Sequence, residues 1–189
     1  MSQALVAQVV LDACVLYPAP IRDLLLHMAN EGLYRPKWSD QIQEEWVRNL
    51  LINRPDLSSR QLQQTTQAMN RAFPDATVRE YEVLISTLEL PDADDRHVLA
   101  AAIHGQASLI VTANLKDFPT LYLRSLGIEA QHPDQFIAQL FETNPADVLR
   151  AFQAQVASLR KPPRTAHEVL ETLRRTGLEA TVNRLSSLL

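Results

Sequence analysis

The chain has 189 residues, 46% of them hydrophobic, with one cysteine and a formal net charge of −4. That is enough apolar mass for one substantial core plus an appendage, without a second full domain. The lone Cys14 excludes an internal disulfide, the lack of CxxC or HxxxH spacing excludes the usual zinc sites, and the acidic balance does not advertise nucleic-acid binding. No apolar run approaches membrane length and the N-terminus lacks a basic-then-apolar signal pattern, so a soluble, cytoplasmic protein with no membrane partner is expected. Residues 1–130 carry 16 Asp and Glu against 11 Lys and Arg. Acids that converge on a divalent cation invert the local field and leave basic residues free to meet phosphates.

Ala7 to Leu11 reads as a short buried strand ending in Asp12, which sits at a strand's carboxyl end or opens the next turn. Pro18 and Pro20 lead into a helix over Ile21 to Ala29 that Asn30 to Gly32 end; His27 on it has no spaced partner. Tyr34 to Lys37 reads as a short connection, and Trp38-Ser39-Asp40 opens a second helix to about Asn53, with Ser39 or Asp40 as N-cap. Its apolar stripe is Ile42, Trp46 and Leu50. Glu44 and Glu45 fall on opposite shoulders of that stripe, and Ile52 and Trp38 tilt the choice toward Glu45. Two solvated helix acids are the plainer reading of the pair. Leu57 to Ala72 is a polar third helix without chemistry, and a short helix is predicted around Arg79 to Leu88.

The stretch Pro91 to Pro119 is the most informative. Asp92, Asp94 and Asp95 precede a run of helix formers from His97 to His104, and Gly105 stops that run before a strand over Ser108 to Thr112. Helical spacing sets Asp95 with Val98, Leu99 and Ala102 on the apolar face, whereas Asp94 goes with His97 and Ala101 toward water. An inward carboxylate needs a partner, and a metal ion is one candidate. The plainer alternative is that Asp92 caps the helix and Asp95 completes a capping box. Against it stands the strand's far end, Thr-Ala-Asn-Leu-Lys-Asp-Phe-Pro, which places polar groups where open α/β sheets gather ligands.

A helical turn at Leu121 to Leu126 and a last strand over Ile128 to Gln131 follow, and His132-Pro133-Asp134 starts a helix to Glu142. Beyond Asn144, three further amphipathic helices carry Val148, Leu149, Phe152, Val156 and Leu159 on one face and Val169, Leu170 and Leu173 on the next. They bring no acid cluster and no Gly-rich loop, so they read as an extension that docks on the core or on a partner. The expected division is 1–143 and 144–189. Alternating strands and helices favour a three-layer α/β/α sandwich with a mostly parallel sheet, in which Asp12 and Asn114/Asp117 are neighbours if their strands are adjacent. Holding carboxylates within about 4 Å costs on the order of 4 kcal/mol per ionised pair at an effective dielectric near 20, so such a cluster implies a divalent metal or shifted pKa values. Oxygen ligands alone suit Mg²⁺ or Mn²⁺.

The segments Leu11 to Pro18, Ser39 to Leu50 with Glu44-Glu45, Leu90 to Leu99 and Ile110 to Pro119 together resemble a PIN domain, of the type found in VapC-like toxins of prokaryotic toxin–antitoxin pairs. The resemblance covers roughly residues 5–140. It implies a metal-dependent ribonuclease with a 3-2-1-4-5 parallel sheet, in which the family's first acid falls on Asp12, its second on Glu45, its third on Asp95 and its fourth region on Asn114 to Asp117. These residues would hold Mg²⁺ or Mn²⁺, and a water acidified by the metal would attack the scissile phosphorus in line. Arg48, Arg96 and Lys116 could hold flanking phosphates or simply be solvated charges. RNA is the implied substrate and a small antitoxin protein the implied partner, with a homodimer left open.

Two positions depart from the family. Cys14 stands where a hydroxyl or amide side chain usually follows the first Asp, and Asn114 stands where many members have Asp, which makes Asp117 the nearest carboxylate. Two rival classes follow. A phosphoaspartyl enzyme of the haloacid-dehalogenase type needs a second Asp where Cys14 stands, and a non-catalytic PIN-fold interaction or RNA-binding module would keep the fold without the fourth ligand.

Overall fold

The computed structural model describes residues 6–189. Five strands, β1 (Gln8–Leu11), β2 (Arg35–Ser39), β3 (Thr77–Val78), β4 (Leu109–Val111) and β5 (Glu129–Gln131), form one all-parallel sheet in the order β3-β2-β1-β4-β5. The fold class and strand order are those expected. In the central pair, Val9, Val10, Leu11, Ile110 and Val111 are fully buried, which is why those segments read as continuous apolar runs. Pairing of Val9 with Leu109, Val10 with Ile110 and Leu11 with Val111 ends both strands at the same level. Asp12 therefore follows β1 directly beside the residue that follows β4, and its N–H donates to the Val111 carbonyl at 3.1 Å.

Between β1 and β2 run helices α1 (Ala13–Leu16) and α2 (Ala19–Asn30); between β2 and β3 run α3 (Asp40–Asn53) and α4 (Ser59–Ala72). The connection from β3 to β4 carries α5 (Glu82–Ile85), a 3₁₀ turn (Ala93–Asp95) and α6 (Arg96–His104), and that from β4 to β5 carries a 3₁₀ turn (Leu115–Asp117) and α7 (Thr120–Ser125). Strand order reverses direction at β1. Right-handed crossovers then put α3 and α6 on opposite faces of the sheet, with the crevice at the carboxyl ends of β1 and β4.

Three local readings change. The segment expected as a connection at Tyr34 to Lys37 is largely strand β2; its sequence, Arg-Pro-Lys-Trp-Ser, has charges and a proline where a buried strand would announce itself with aliphatics. Parallel pairing with Val9 and Val10, not local propensity, makes it a strand. Likewise β3 is two residues long, and the short helix predicted around Arg79 to Leu88 contracts to Glu82–Ile85. Finally, α6 has no water-facing side along its middle: His97 and Ala101 are as buried as Val98 and Leu99, because the helix lies against β1, β2, β4 and α5. Asp94 is exposed, as expected, but it sits in the preceding turn and not on a solvated helix face. Gly105 ends α6 under close packing, since a Cβ there would come within 2.8 Å of both the Ala101 carbonyl and Val78 Cγ2.

The chain forms two compact units. One comprises Ala7–Tyr17 and Arg35–Gln131 and contains the whole sheet. The other gathers Pro18–Tyr34 and His132–Leu189, hence α2 together with α8 (Pro133–Thr143), α9 (Pro145–Ser158), α10 (Ala166–Arg175) and α11 (Glu179–Ser186). In this second unit α2 packs on α9 and α8 on α11, burying Leu24, Leu25, Met28, Ile137, Val148, Phe152, Val182 and Leu185. Tyr34 closes one end, edge-on to Phe136 at 5.1 Å, with its hydroxyl donating to the Leu25 carbonyl at 2.7 Å. Among the described residues, no helix is long and apolar enough to cross a membrane.

Candidate functional site

Asp12 is the N-cap of α1 and is only 4% exposed. Its Oδ1 accepts the Ala13 N–H at 2.7 Å, and its Oδ2 accepts the Thr112 hydroxyl at 2.7 Å and lies 3.2 Å from Cys14 Sγ. Cys14 is also 3.3 Å from Thr112 Oγ1 and accepts the Ala113 N–H at 3.2 Å. Burial, reinforced by the Asp12 charge, pushes the Cys14 thiol up to about 12. It stays protonated and serves as a donor, as a hydroxyl would. Burial raises the Asp12 carboxyl above its ordinary value, with the Glu45 charge adding to the effect and the bonds from Thr112, Cys14 and Ala13 opposing it.

Glu45, on α3, is half-buried, whereas its neighbour Glu44 is exposed. Its Oε2 lies 3.2 Å from Nε2 of His97, a 4%-exposed residue in the first turn of α6. Asp95 ends the 3₁₀ turn before α6 without capping that helix through its side chain. Burial together with the charges of Asp12, Asp92, Asp117 and Glu45 lifts it from 3.8 to about 6. Asp92 caps the same turn by accepting the Asp94 N–H at 2.9 Å, and its carboxylate, with those of Asp95 and Asp117, forms a set whose oxygens lie within 4.8 Å of one another. The side chain of Asn114 braces this set: Nδ2 donates to Asp95 at 3.2 Å and to Asp117 at 2.6 Å, while its backbone N–H donates to Thr112 Oγ1 at 3.0 Å. One hydrogen-bonded chain thus runs from Asp12 through Thr112 and Asn114 to Asp95 and Asp117.

Asp12, Asp95, Asn114 and Asp117 are thus joined at the carboxyl ends of β1 and β4, with Glu45 near enough for its charge to act on Asp12 and Asp95. Among the described residues, no salt bridge reaches Asp12, Asp92 or Asp95; Lys116 Nζ stands 3.8 Å from Asp117 but is 82% exposed. Close oxygen donors with so little countercharge fit a divalent cation. The three cations named from the sequence are dispersed. Arg48 is exposed and lines a cavity next to Glu45, Arg96 has its Nε buried with no hydrogen-bond partner among the described residues, and Lys116 reaches only Asp117. Sequence reading missed Asp92, His97 and Thr112. Asp92 looks like a helix cap, which it is, and only the fold of the Leu115–Asp117 turn brings Asp117 to it.

Residues 133–187 match the VapC50 C-terminal domain. A protein of Mycobacterium tuberculosis named "Putative ribonuclease VapC50" is 39% identical over 79 residues, covering 42% of this chain and 47% of that protein. The chain thus spans about half the length of the curated relative it matches. No solved structure matches. The PIN domain family matches residues 8–116, more than half of the chain and nearly all of the sheet and acid cluster just described, and the protein belongs to that family.

Proposed function

We propose that this protein is a divalent-metal-dependent endoribonuclease acting as the toxin of a cytoplasmic toxin–antitoxin pair. The observation that carries the reading is the acid set at the strand ends: oxygens of Asp92, Asp95 and Asp117 lie within 4.8 Å of one another, and Asp12 is tied to them through Thr112 and Asn114. Asp12, Glu45, Asp95 and Asp117 would hold the cation, Asp92 would join them, and Asn114 would offer an amide oxygen after rotating its NH₂ away from the acids. A bound divalent cation supplies positive charge to the phosphoryl oxygens and acidifies a water for in-line attack.

The chain's own groups set the geometry. Thr112, Cys14 and the Ala13 N–H fix both oxygens of Asp12, and His97 holds one oxygen of Glu45, so neither carboxylate has to reorganise when substrate arrives. Arg96 and Lys116 would contact phosphates flanking the scissile bond, and Arg48 would contact the RNA beside them. A small antitoxin protein is the proposed partner, in keeping with the relative's VapC name.

Incubation of the purified protein with single-stranded and structured RNAs in Mg²⁺ or Mn²⁺ tests the reading. Cleavage that an EDTA control lacks is expected; no cleavage with either metal on any of several substrates would overturn it. One observation favours the alternative, a non-catalytic PIN-fold module: the Asn114 amide already satisfies Asp95 and Asp117 without a metal. Calorimetric metal titration separates the two, because a module that has lost the site gives no Mg²⁺ or Mn²⁺ heat.

A further inference from the structure

A cavity of about 510 Å³ opens beside the acid cluster, between the α3 face that carries Glu44, Glu45 and Arg48 and a wall formed by Ile85, Ala93 and Asp94. That volume lies within the range of small-molecule sites. Its charge selects the occupant. Three carboxylates, of which Glu45 is held by His97, line it with Gln41 and a single guanidinium, so a phosphate is repelled and the cavity suits a neutral group rich in N–H donors. In an RNA chain the neutral groups that carry N–H donors are the bases, and they differ in what they offer a carboxylate. Guanine presents two adjacent donors, N1–H and the N2 amine, which a single carboxylate can accept together; adenine and cytosine present one amine beside an acceptor, and uracil one N–H between two carbonyls. Guanine also carries O6 and N7 next to that edge, the pair that an arginine fork recognises. Glu44 and Arg48 stand one helical turn apart on the same face of α3, the spacing at which a carboxylate and a guanidinium can address adjacent edges of one base. Ile85 and Ala93 provide apolar surface for the ring.

We infer that this cavity is a guanine-reading pocket for a nucleotide next to the scissile phosphate, with Glu44 accepting from the Watson–Crick edge and Arg48 donating to O6 and N7. The inference rests on the ribonuclease reading for its substrate, and Glu45, shared by the cavity and the acid cluster, sets the base beside the reacting phosphate.

Binding separates the pocket from the chemistry. The full chain in EDTA is titrated with the dinucleoside monophosphates GpU, ApU, CpU and UpU and followed through the backbone amide resonances of Glu44, Arg48 and Ala93. The expected result is that GpU binds about tenfold more tightly than the other three and that Glu44→Gln, which replaces one acceptor by a donor, removes the difference. In the second arm, cleavage sites mapped on a mixed-sequence RNA fall next to guanines for the native chain and lose that bias in Glu44→Gln. Equal response to all four dinucleotides, or a preference unchanged in Glu44→Gln, overturns the pocket. So does a response to N-acetyl-arginine amide with none to GpU, which would make the cavity a receptor for a partner's arginine. Guanine-selective binding without cleavage leaves the pocket standing and defeats the ribonuclease reading; cleavage without base bias or GpU response does the reverse.

Discussion

Asp95 and Asp134 show how differently the two compact units treat an acid. Asp134, at the start of α8, accepts the N–H groups of Ala180 and Thr181 at 2.9 and 2.8 Å and the Thr181 hydroxyl at 2.7 Å, closing the amino end of α11. Nearby acids of the helical unit pair with cations: Glu142 with Arg184 at 3.0 Å, Glu31 with Arg150 at 3.1 Å, and Asp147 with Arg150 as well. Asp95 has one amide donor and four like-charged neighbours. A fold that satisfies its acids in one unit and crowds them in the other has not run short of cations. The crowding is a local cost kept where a cation would repay it, and substitutions can test whether stability and activity divide between the units accordingly.

The largest expected effect removes a crowded acid. Asp12→Asn or Asp95→Asn should lower RNA cleavage by at least about a hundredfold, the scale for losing a group that stabilises the transition state. Melting temperature in EDTA should hold or rise, because a charge that burial and its neighbours oppose is gone. Native-like cleavage by either variant would return that residue to a capping role. The converse change, Asp134→Ala, should cost about 2 kcal/mol of stability, as for a lost helix cap with charge-assisted hydrogen bonds, and leave Mg²⁺ affinity as it was. A calorimetric titration in which that affinity also fell would break the division between the units.

Within the crowded cluster, Asn114→Asp replaces a donor to two carboxylates with another negative charge. The metal-free protein should melt several degrees lower, and Mg²⁺ should restore it with a dissociation constant several-fold below that of the native chain. Asp117→Asn should weaken Mg²⁺ binding without abolishing cleavage. An Asp117→Asn variant as inactive as Asp95→Asn would overturn this and make Asp117 as indispensable a ligand as Asp95.

The smallest effect is a pH dependence. The Asp95 carboxyl is raised from 3.8 to about 6 in the folded protein, so between those values the native state binds more protons than the unfolded one. Stability of the metal-free protein should therefore fall as pH rises from about 4 to about 6 and level off above, and Asp95→Asn should flatten this slope. The group is only partly buried, which keeps the effect modest. A divalent cation favours the ionised form, so saturating Mg²⁺ should reverse the trend; chemical denaturation at several pH values, with and without Mg²⁺, reads both.

The sequence by itself determined the α/β class, because a buried parallel strand must be apolar on both faces and Val9 to Leu11 and Leu109 to Val111 declare it. It likewise carried the helix start at Ser39 or Asp40, which the structure resolves to a Ser39 cap, the stop at Gly105 and the placing of Asp12 and Thr112 at strand ends, since these depend on neighbours in the chain. It could not announce β2 or β3, whose strand character comes from pairing with residues far away. Nor could it separate Glu44 from Glu45 cleanly: both lie off the centre of the apolar stripe, and only the buried His97 from another helix draws Glu45 inward. Periodicity misjudged α6, because a helix enclosed by a sheet and a second helix has no solvated face for a polar stripe to mark. The meeting of Asp92 with Asp117 and the bracing of Asp95 by Asn114 were decided by the tertiary structure alone, for a carboxylate's neighbours across a turn leave no trace in spacing along the chain.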